Sequence, residues 1–263
     1  MKLSLSGRLV EGAGGTIVSV AEFLSLARRC GYDAVDLRAS QFGPAGGEAE
    51  TAAVRAGLAD NGLRLFEGQY AGDPCAGGEA EAAFVAFAGR VAGLGGEGIR
   101  MGGELPTLKR AAQLARPLGL RICYQMHTGG PFETIDGAAA AVAEVGEPNF
   151  GVMPEPANLA LAAQPFTEDM FAPLAGRIPG VHVQTLEVRE DGPDSLRLAD
   201  GTEVRYARVP YAKNTQTDFG TFFAALRRAG FDGYVNELEP CPGLDDLEDN
   251  VRRAAAFLRQ FVG

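Results

Sequence analysis

Histidine is scarce in this chain: His127 and His182 are the two imidazoles in 263 residues. Two imidazoles cannot build a histidine-rich multi-zinc centre. The four cysteines, Cys30, Cys75, Cys123 and Cys241, lie far apart and form no C-x-x-C pair, which argues for reduced thiols over a zinc ribbon or a disulfide frame. Apolar runs are short, and none approaches the roughly 18 residues that a membrane-spanning helix needs. The opening segment Met1–Gly7 likewise has no uninterrupted apolar core of signal-peptide type. Positive charge is in deficit, with 24 Lys+Arg against 34 Asp+Glu and a net charge of -10, so neither nucleic acid nor an anionic membrane is expected as a partner. These absences fit a cytoplasmic protein acting on a small molecule.

With 46% hydrophobic and 22% charged residues the chain has the composition of an ordinary globular protein, long enough for one large domain over 1–263. Short apolar runs alternate with longer amphipathic, Ala-rich stretches from end to end. The runs predict strands at 2–6, 34–37, 63–67, 98–101, 121–124, 150–153, 180–183 and 234–237. The stretches between predict helices at 20–30, 48–61, 79–94, 108–116, 133–145, 168–175, 219–229 and 244–261. Gly31, Gly62 and Gly230 stand at helix-to-strand joints, where a left-handed residue ends a helix. About eight βα units in roughly 250 residues is the arithmetic of a (β/α)8 TIM barrel. A doubly wound open sheet is the alternative, but Gly12-Ala13-Gly14-Gly15 lacks the G-x-G-x-x-G spacing of a dinucleotide turn. One segment breaks the rhythm: 186–210 is polar and alternates around Asp200-Gly201, which predicts an inserted β-hairpin after strand 7, either a lid or an oligomer contact.

Side chains at the carboxyl ends of barrel strands point into a shared mouth. Both histidines follow apolar runs in this way, and the polar residues closing the last four strands form one set: Gln125 and His127, Glu155 and Asn158, His182 and Gln184, and Glu237 with Glu239. Oxygen donors with an imidazole suit a divalent ion such as Mn²⁺, Mg²⁺, Co²⁺ or Zn²⁺, and such an ion would let acidic groups crowd together. Glu237 is preferred to Glu239 because it follows the apolar run directly. Arg38, Arg100 and Lys213 fall at or beyond strand ends and are candidate substrate contacts, though each alone is also explained as a solvated or paired cation.

The ordered series Gln125-Met126-His127, Glu155-Pro156-Ala157-Asn158, His182-Val183-Gln184-Thr185 and Gly233-Tyr234-Val235-Asn236-Glu237 resembles the sugar phosphate isomerase/epimerase superfamily, the xylose isomerase-like TIM barrels. The stretch 218–234 is similar to the family segment before the last strand. The resemblance implies a metal held by a Glu, an Asp, a His and a Glu, positions that fall on Gln125, Glu155, His182 and Glu237. It also places Asn158 and Gln184 among substrate contacts, where the family has a His and a Lys. Gln125 departs from the pattern, because a carboxamide cannot accept a proton near neutral pH and a two-glutamate epimerase scheme loses one base. Either another group replaces that base or the chemistry has shifted, and His127, on the same side of the strand, is the candidate replacement because an imidazole's reference pKa lies near neutrality.

The expected reaction is a metal-dependent isomerisation or epimerisation of a sugar, sugar acid or polyol. Glu237 or Glu155 removes a proton beside a metal-polarised oxygen, and His127 orients the substrate or returns the proton. A lyase, dehydratase or hydrolase on the same scaffold is the first alternative, and a carbohydrate-binding barrel without catalysis the second. Exposed helices of such barrels often pair subunits, so a homo-oligomer is compatible, yet no stretch marks an interface.

Overall fold

The computed structural model describes residues 1–12, 15–238 and 247–263. Cys241 and the alternative carboxylate Glu239 lie outside the described residues, as does the predicted start of the last helix at 244. The strands are β1 (Lys2–Ser6), β2 (Ala34–Leu37), β3 (Arg64–Gln69), β4 (Gly98–Arg100), β5 (Arg121–Gln125), β6 (Phe150–Met153), β7 (Gly180–Val183) and β8 (Tyr234–Glu237). They form one parallel sheet in the order β6-β5-β4-β3-β2-β1-β8-β7. Its two edges meet where the His182 backbone N–H donates to the Pro154 carbonyl at 3.1 Å. The sheet is thus nearly closed into a barrel, and the helices lie between successive strands. It is the TIM barrel predicted from the alternation, with five of the eight strands at the predicted bounds.

The helices are α1 (Val20–Arg29), α2 (Glu48–Asn61), α3 (Gly78–Gly93), α4 (Leu105–Ala115), α5 (Ile135–Val145), α6 (Pro156–Leu161), α7 (Phe219–Arg228) and α8 (Leu247–Val262). Side-chain caps set several starts: Ser19 accepts from Glu22 N, Thr134 from Gly137 N and Asp218 from Thr221 N. The sixth helix is a correction. The predicted helix at 168–175 is replaced by a 3-10 turn at Ala172–Leu174, because Pro173 cannot donate the backbone bond that an α-helix there requires. The helical segment starts earlier, at Pro156, whose fixed φ and missing N–H suit a first helical position. No helix among the described residues is long and apolar enough to cross a membrane. Cys30, Cys75 and Cys123 form no disulfide; Cys30 and Cys123 are buried and Cys75 is exposed.

Strand alternation sorts side chains between barrel interior and helix-facing layer. Leu3, Leu5, Val35, Leu65, Ile99, Ile122, Val152, Val181 and Val235 point outward into the main hydrophobic core with the helices. Ala34, Phe66, Cys123, Met153 and Tyr234 point inward and form a separate apolar layer in the lower barrel, with the Phe66 and Tyr234 rings stacked at 4.6 Å between centroids. Above this plug the interior turns polar, with Ser6, Asp36, Glu67, Arg100, His182 and Asn236 all buried.

After β7 the chain forms a three-stranded antiparallel sheet, Leu186–Val188, Asp194–Arg197 and Glu203–Arg208, with the last strand in the middle. Leu196, Val204 and Tyr206 pack against Ala157 and Leu161 of α6, so this sheet sits beside the carboxyl-terminal mouth. Glu133, predicted as a helix residue, lies just before α5 and accepts hydrogen bonds from Gly129 N (2.7 Å) and Ala199 N (2.9 Å), tying the turn of the sheet to the loop after β5.

The apolar plug leaves no room at Gly180. A Cβ there would lie 2.4 Å from Phe66 Cζ and 3.2 Å from the Tyr234 carbonyl oxygen. Gly180→Ala is expected to cost about 1–3 kcal/mol through forced displacement of the stacked rings, seen as a lowered midpoint in chemical denaturation. An unchanged midpoint would show that the plug yields freely.

Candidate active site

The sequence set does not gather around one point as a four-ligand centre. His182 lies on β7 facing inward, fully buried, with Nε2 3.4 Å from Glu67 Oε1 and Nδ1 3.4 Å from Arg100 Nη1. Burial, followed by the nearby Arg38 charge, pushes its pKa down to about 3, so the imidazole is neutral. Glu155, just past β6, is also fully buried. Its Oε2 accepts from Gln125 Nε2 at 2.5 Å and Asn158 Nδ2 at 2.8 Å, and its Oε1 accepts from Gln184 Nε2. Burial raises this carboxyl to about 7 against the lowering effect of the Gln184 and Gln125 hydrogen bonds.

Glu237 is placed elsewhere. Tyr234 and Asn236 occupy the inward positions of β8, Tyr234 in the apolar plug and Asn236 donating to Asp36 Oδ2 at 2.9 Å. Glu237 therefore points outward, and its Oε2 is hydrogen-bonded by the Tyr211 hydroxyl, whose ring stacks on Phe257 of α8 at 5.0 Å. The next inward residue is Leu238, which lines the mouth. The structure thus puts Glu237 in the layer between barrel and helices and does not bring it together with Glu155 and His182.

Two acidic residues that the sequence reading passed over lie inside the barrel. Asp36 on β2 accepts from Ser6 Oγ (2.9 Å), Gly7 N (2.7 Å) and Asn236 Nδ2 (2.9 Å). Glu67 on β3 is placed by a register shift opposite Val35 and Asp36, which turns it inward beside Phe66. Burial, with Asp36 alongside, pushes Glu67 well above the ordinary carboxylate range. Asp36, Glu67 and His182 offer one ligand atom each within 4.8 Å of one another, a buried group that could hold a metal. Their signal in the sequence is a single acid inside each of two apolar strands, Ala34-Val35-Asp36-Leu37 and Leu65-Phe66-Glu67.

The family pattern implies a divalent ion, and two features bear on its fit. Among the mouth residues, Gln125 is neutral and all three of Glu155's polar partners are amide donors. Beneath them, the Arg100 guanidinium already lies against the Asp36-Glu67-His182 group, with Nη1 3.4 Å from His182 Nδ1 and Nε 3.9 Å from Glu67 Oε1. The donor types suit a metal, but the charge already in place does not. With Arg100 so placed, the described residues do not fit the ion.

The mouth itself consists of two adjoining cavities of about 250 and 140 Å³, both bordered by Arg8, Arg38, Arg100, Gln125 and His127. Gln184 and Arg208 complete the smaller one, and Arg208 Nη1 donates to Gln184 Oε1 at 2.7 Å. Arg38 is oriented by Glu11, Nε to Oε2 at 2.9 Å. Arg100 Nη1 donates to Gln125 Oε1 at 3.1 Å, so Gln125 relays between the guanidinium and Glu155. His127 is exposed at the rim, its Nδ1 3.1 Å from the Thr128 carbonyl. Asn158 faces inward behind the mouth and braces Glu155 and the Met126 carbonyl. Lys213 is exposed and borders neither cavity. Arg8 and Arg208 were not singled out from the sequence, since one follows the first strand, outside the set drawn from the last four strands, and the other lies in the predicted hairpin.

Comparisons with known proteins agree with this architecture. The chain superposes on a D-psicose 3-epimerase crystallised in the presence of D-fructose with a TM-score of 0.74 at 18% identity, covering 100% of both chains. A probable 3-DHS dehydratase, AsbF, from Bacillus anthracis gives a TM-score of 0.74 at 13% identity over 98% of this chain and 99% of that one. A xylose isomerase-like TIM barrel protein from Mycobacterium smegmatis in complex with magnesium gives 0.69 at 17% identity over 100% of this chain and 98% of that one. No curated protein matches. The sequence profile of the xylose isomerase-like TIM barrel family matches residues 24–261, and the chain belongs to that family.

Proposed function

We propose that the protein is an enzyme that moves a proton between carbon atoms of a sugar, sugar acid or polyol, an isomerase or epimerase in which Glu155 is the base. The observation that carries this reading is Glu155 itself, a carboxyl raised to about 7 and held by amides at the end of a barrel strand. A base poised near neutrality is the condition for efficient proton abstraction. Glu155 sits directly behind Gln125 and Gln184, which border the mouth, so rotation of either amide onto a substrate hydroxyl exposes it. It takes the proton from a C–H beside a carbonyl, the C–H electron pair moves into the carbon framework, and negative charge collects on oxygen. In this reading His127, at the rim of the mouth, returns a proton to the neighbouring carbon or to the opposite face. The metal of the sequence expectation takes no part in these steps, because Gln125, Glu155, His182 and Glu237 do not assemble around a common centre.

Dehydration is the second reading, favoured by one specific feature. With Gln125 an amide, the described residues of the mouth include no pair of carboxylates on opposite faces, and a single base also suffices for β-elimination. The structural neighbours include proteins described as epimerases and as a dehydratase.

Incubation with ketoses and sugar acids in deuterated water is expected to give recovered sugar carrying solvent deuterium. Loss of water would assign elimination, and no exchange in any substrate would remove the proton-transfer reading. Glu155→Gln is expected to lower kcat/KM by about 10²–10⁴-fold. Because only the ionised carboxylate accepts a proton, wild-type kcat/KM is expected to rise with pH through a limb at about 7. Glu237→Gln is expected to change kcat/KM by less than about 3-fold, since its partner is Tyr211 on the far side of the sheet. Abolished turnover in that variant, with the fold intact, would return Glu237 to the chemistry.

Dialysis against a chelator is expected to leave turnover within about 2-fold of the untreated enzyme, as a barrier change of under about 0.5 kcal/mol. A drop below a tenth, reversed by Mn²⁺ or Co²⁺, would show that Arg100 gives way to an ion.

A further inference from the structure

We propose that the mouth is an anion site, and that the substrate carries a carboxylate or phosphate group seated on Arg100, Arg38, Arg8 and Arg208. This rests on the proton-transfer reading for the word substrate, but the site itself stands on separate observations.

The chain is acidic overall, yet four guanidinium groups converge on cavities that none of the described carboxylates borders. Arg100 is the deepest, with its side chain 6% exposed, and its hydrogen bonds go to neutral acceptors, Gln125 Oε1 and His182 Nδ1. The Glu67 carboxyl, at 3.9 Å, lies beyond hydrogen-bond reach of Arg100 Nε. Burying a guanidinium without a hydrogen-bonded anion is costly, and the cost is recovered when an anion arrives from the mouth. Arg38 is 12% exposed in its side chain, is fixed by Glu11 through Nε and borders both cavities. Arg8 stands exposed in the 3-10 turn Gly7–Val10 that follows β1, and Arg208 enters from the three-stranded sheet, where it bonds Gln184.

Planar guanidinium groups match the paired oxygens of carboxylate and phosphate. A neutral sugar would gain no comparable pairing here. The same arrangement assigns Arg100 a second task, since a fixed positive charge at the base of the mouth stabilises negative charge that develops on a substrate oxygen. In a barrel whose interior charge does not fit a divalent ion, this guanidinium supplies the electrostatic part of catalysis.

Binding of three probes to the full-length protein by isothermal titration tests the proposal: D-gluconate for a carboxylate, glucose 6-phosphate for a phosphate, and D-fructose as the neutral sugar. At least one anionic probe is expected to bind about 10-fold or more tightly than D-fructose at low salt, with the preference shrinking near 0.5 M NaCl as screening shortens the range of charge. Whichever anionic probe wins assigns the group. Arg8→Ala, at an exposed position with little bearing on folding, and Arg208→Gln are each expected to weaken that probe several-fold and leave D-fructose unchanged. Arg100→Lys, which keeps the charge and loses the planar fork, is expected to weaken it further. Equal binding of D-fructose and both anions, or an anion preference untouched by all three variants, overturns the proposal. An arginine-dependent anion site in a protein that exchanges no deuterium into any substrate would sink the isomerase reading and leave the anion site standing.

Discussion

The Arg100 guanidinium inside the barrel is the constraint around which the upper half of the interior is organised. Its hydrogen bonds to Gln125 and His182 and its approach to Glu67 connect β3, β4, β5 and β7 through one planar cation. Each neighbour answers its charge in a different way. His182 stays neutral under burial, Gln125 turns its carbonyl toward Arg100 and its amide toward Glu155, and Glu155 is left with neutral donors only. A Glu at position 125 would instead pair directly with Arg100 and place a second negative charge beside Glu155. The glutamine is therefore consistent with the arginine, and together they set a mouth that differs in charge from one built around a divalent ion.

The barrel was legible in the sequence because closed parallel strands are buried on both faces and read as short apolar runs. Strands β1, β2, β6, β7 and β8 and their helices followed from that pattern. The sixth helix did not, because 168–175 carries acidic and apolar residues in helical proportion while Pro173 denies it the backbone bonding. Of the candidate site, His182, Glu155, Gln125, Gln184, Asn158 and Arg100 were found as polar residues closing strands, and the structure links them into one network. Asp36 and Glu67 were missed, although a lone acid in an apolar strand is itself a mark of an inward polar position. Glu67 was further hidden by a bulge, which shifts inward and outward positions by one residue and cannot be seen in the alternation of a six-residue strand.

Glu237 shows how a single step of parity decides a role. Tyr234-Val235-Asn236-Glu237 ends on an acid at the expected strand boundary, and that placement alone suggested a ligand. The deciding fact is that Tyr234 joins the apolar plug, which forces Asn236 inward and Glu237 outward. Once outward, a carboxylate between barrel and helices needs a donor, and the 3-10 turn at Tyr211–Lys213 supplies the Tyr211 hydroxyl. The inward place at the mouth falls to Leu238, an apolar residue that cannot bind a cation.

The three-stranded sheet after β7 then acquires a physical purpose. It packs Leu196, Val204 and Tyr206 on α6, and α6 begins at the residue following Glu155. At its far end Arg208 reaches Gln184, and Gln184 in turn reaches Glu155. The backbone tie from Ala199 to Glu133 fixes the opposite corner to the loop that carries His127. A segment added beyond the barrel strands thus holds Glu155 from behind, delivers a guanidinium from the front and anchors the loop that carries His127. Loops at the carboxyl-terminal face are where a common barrel acquires its chemistry, and in this chain the sheet links them, Arg208 to Glu155 through the single amide of Gln184.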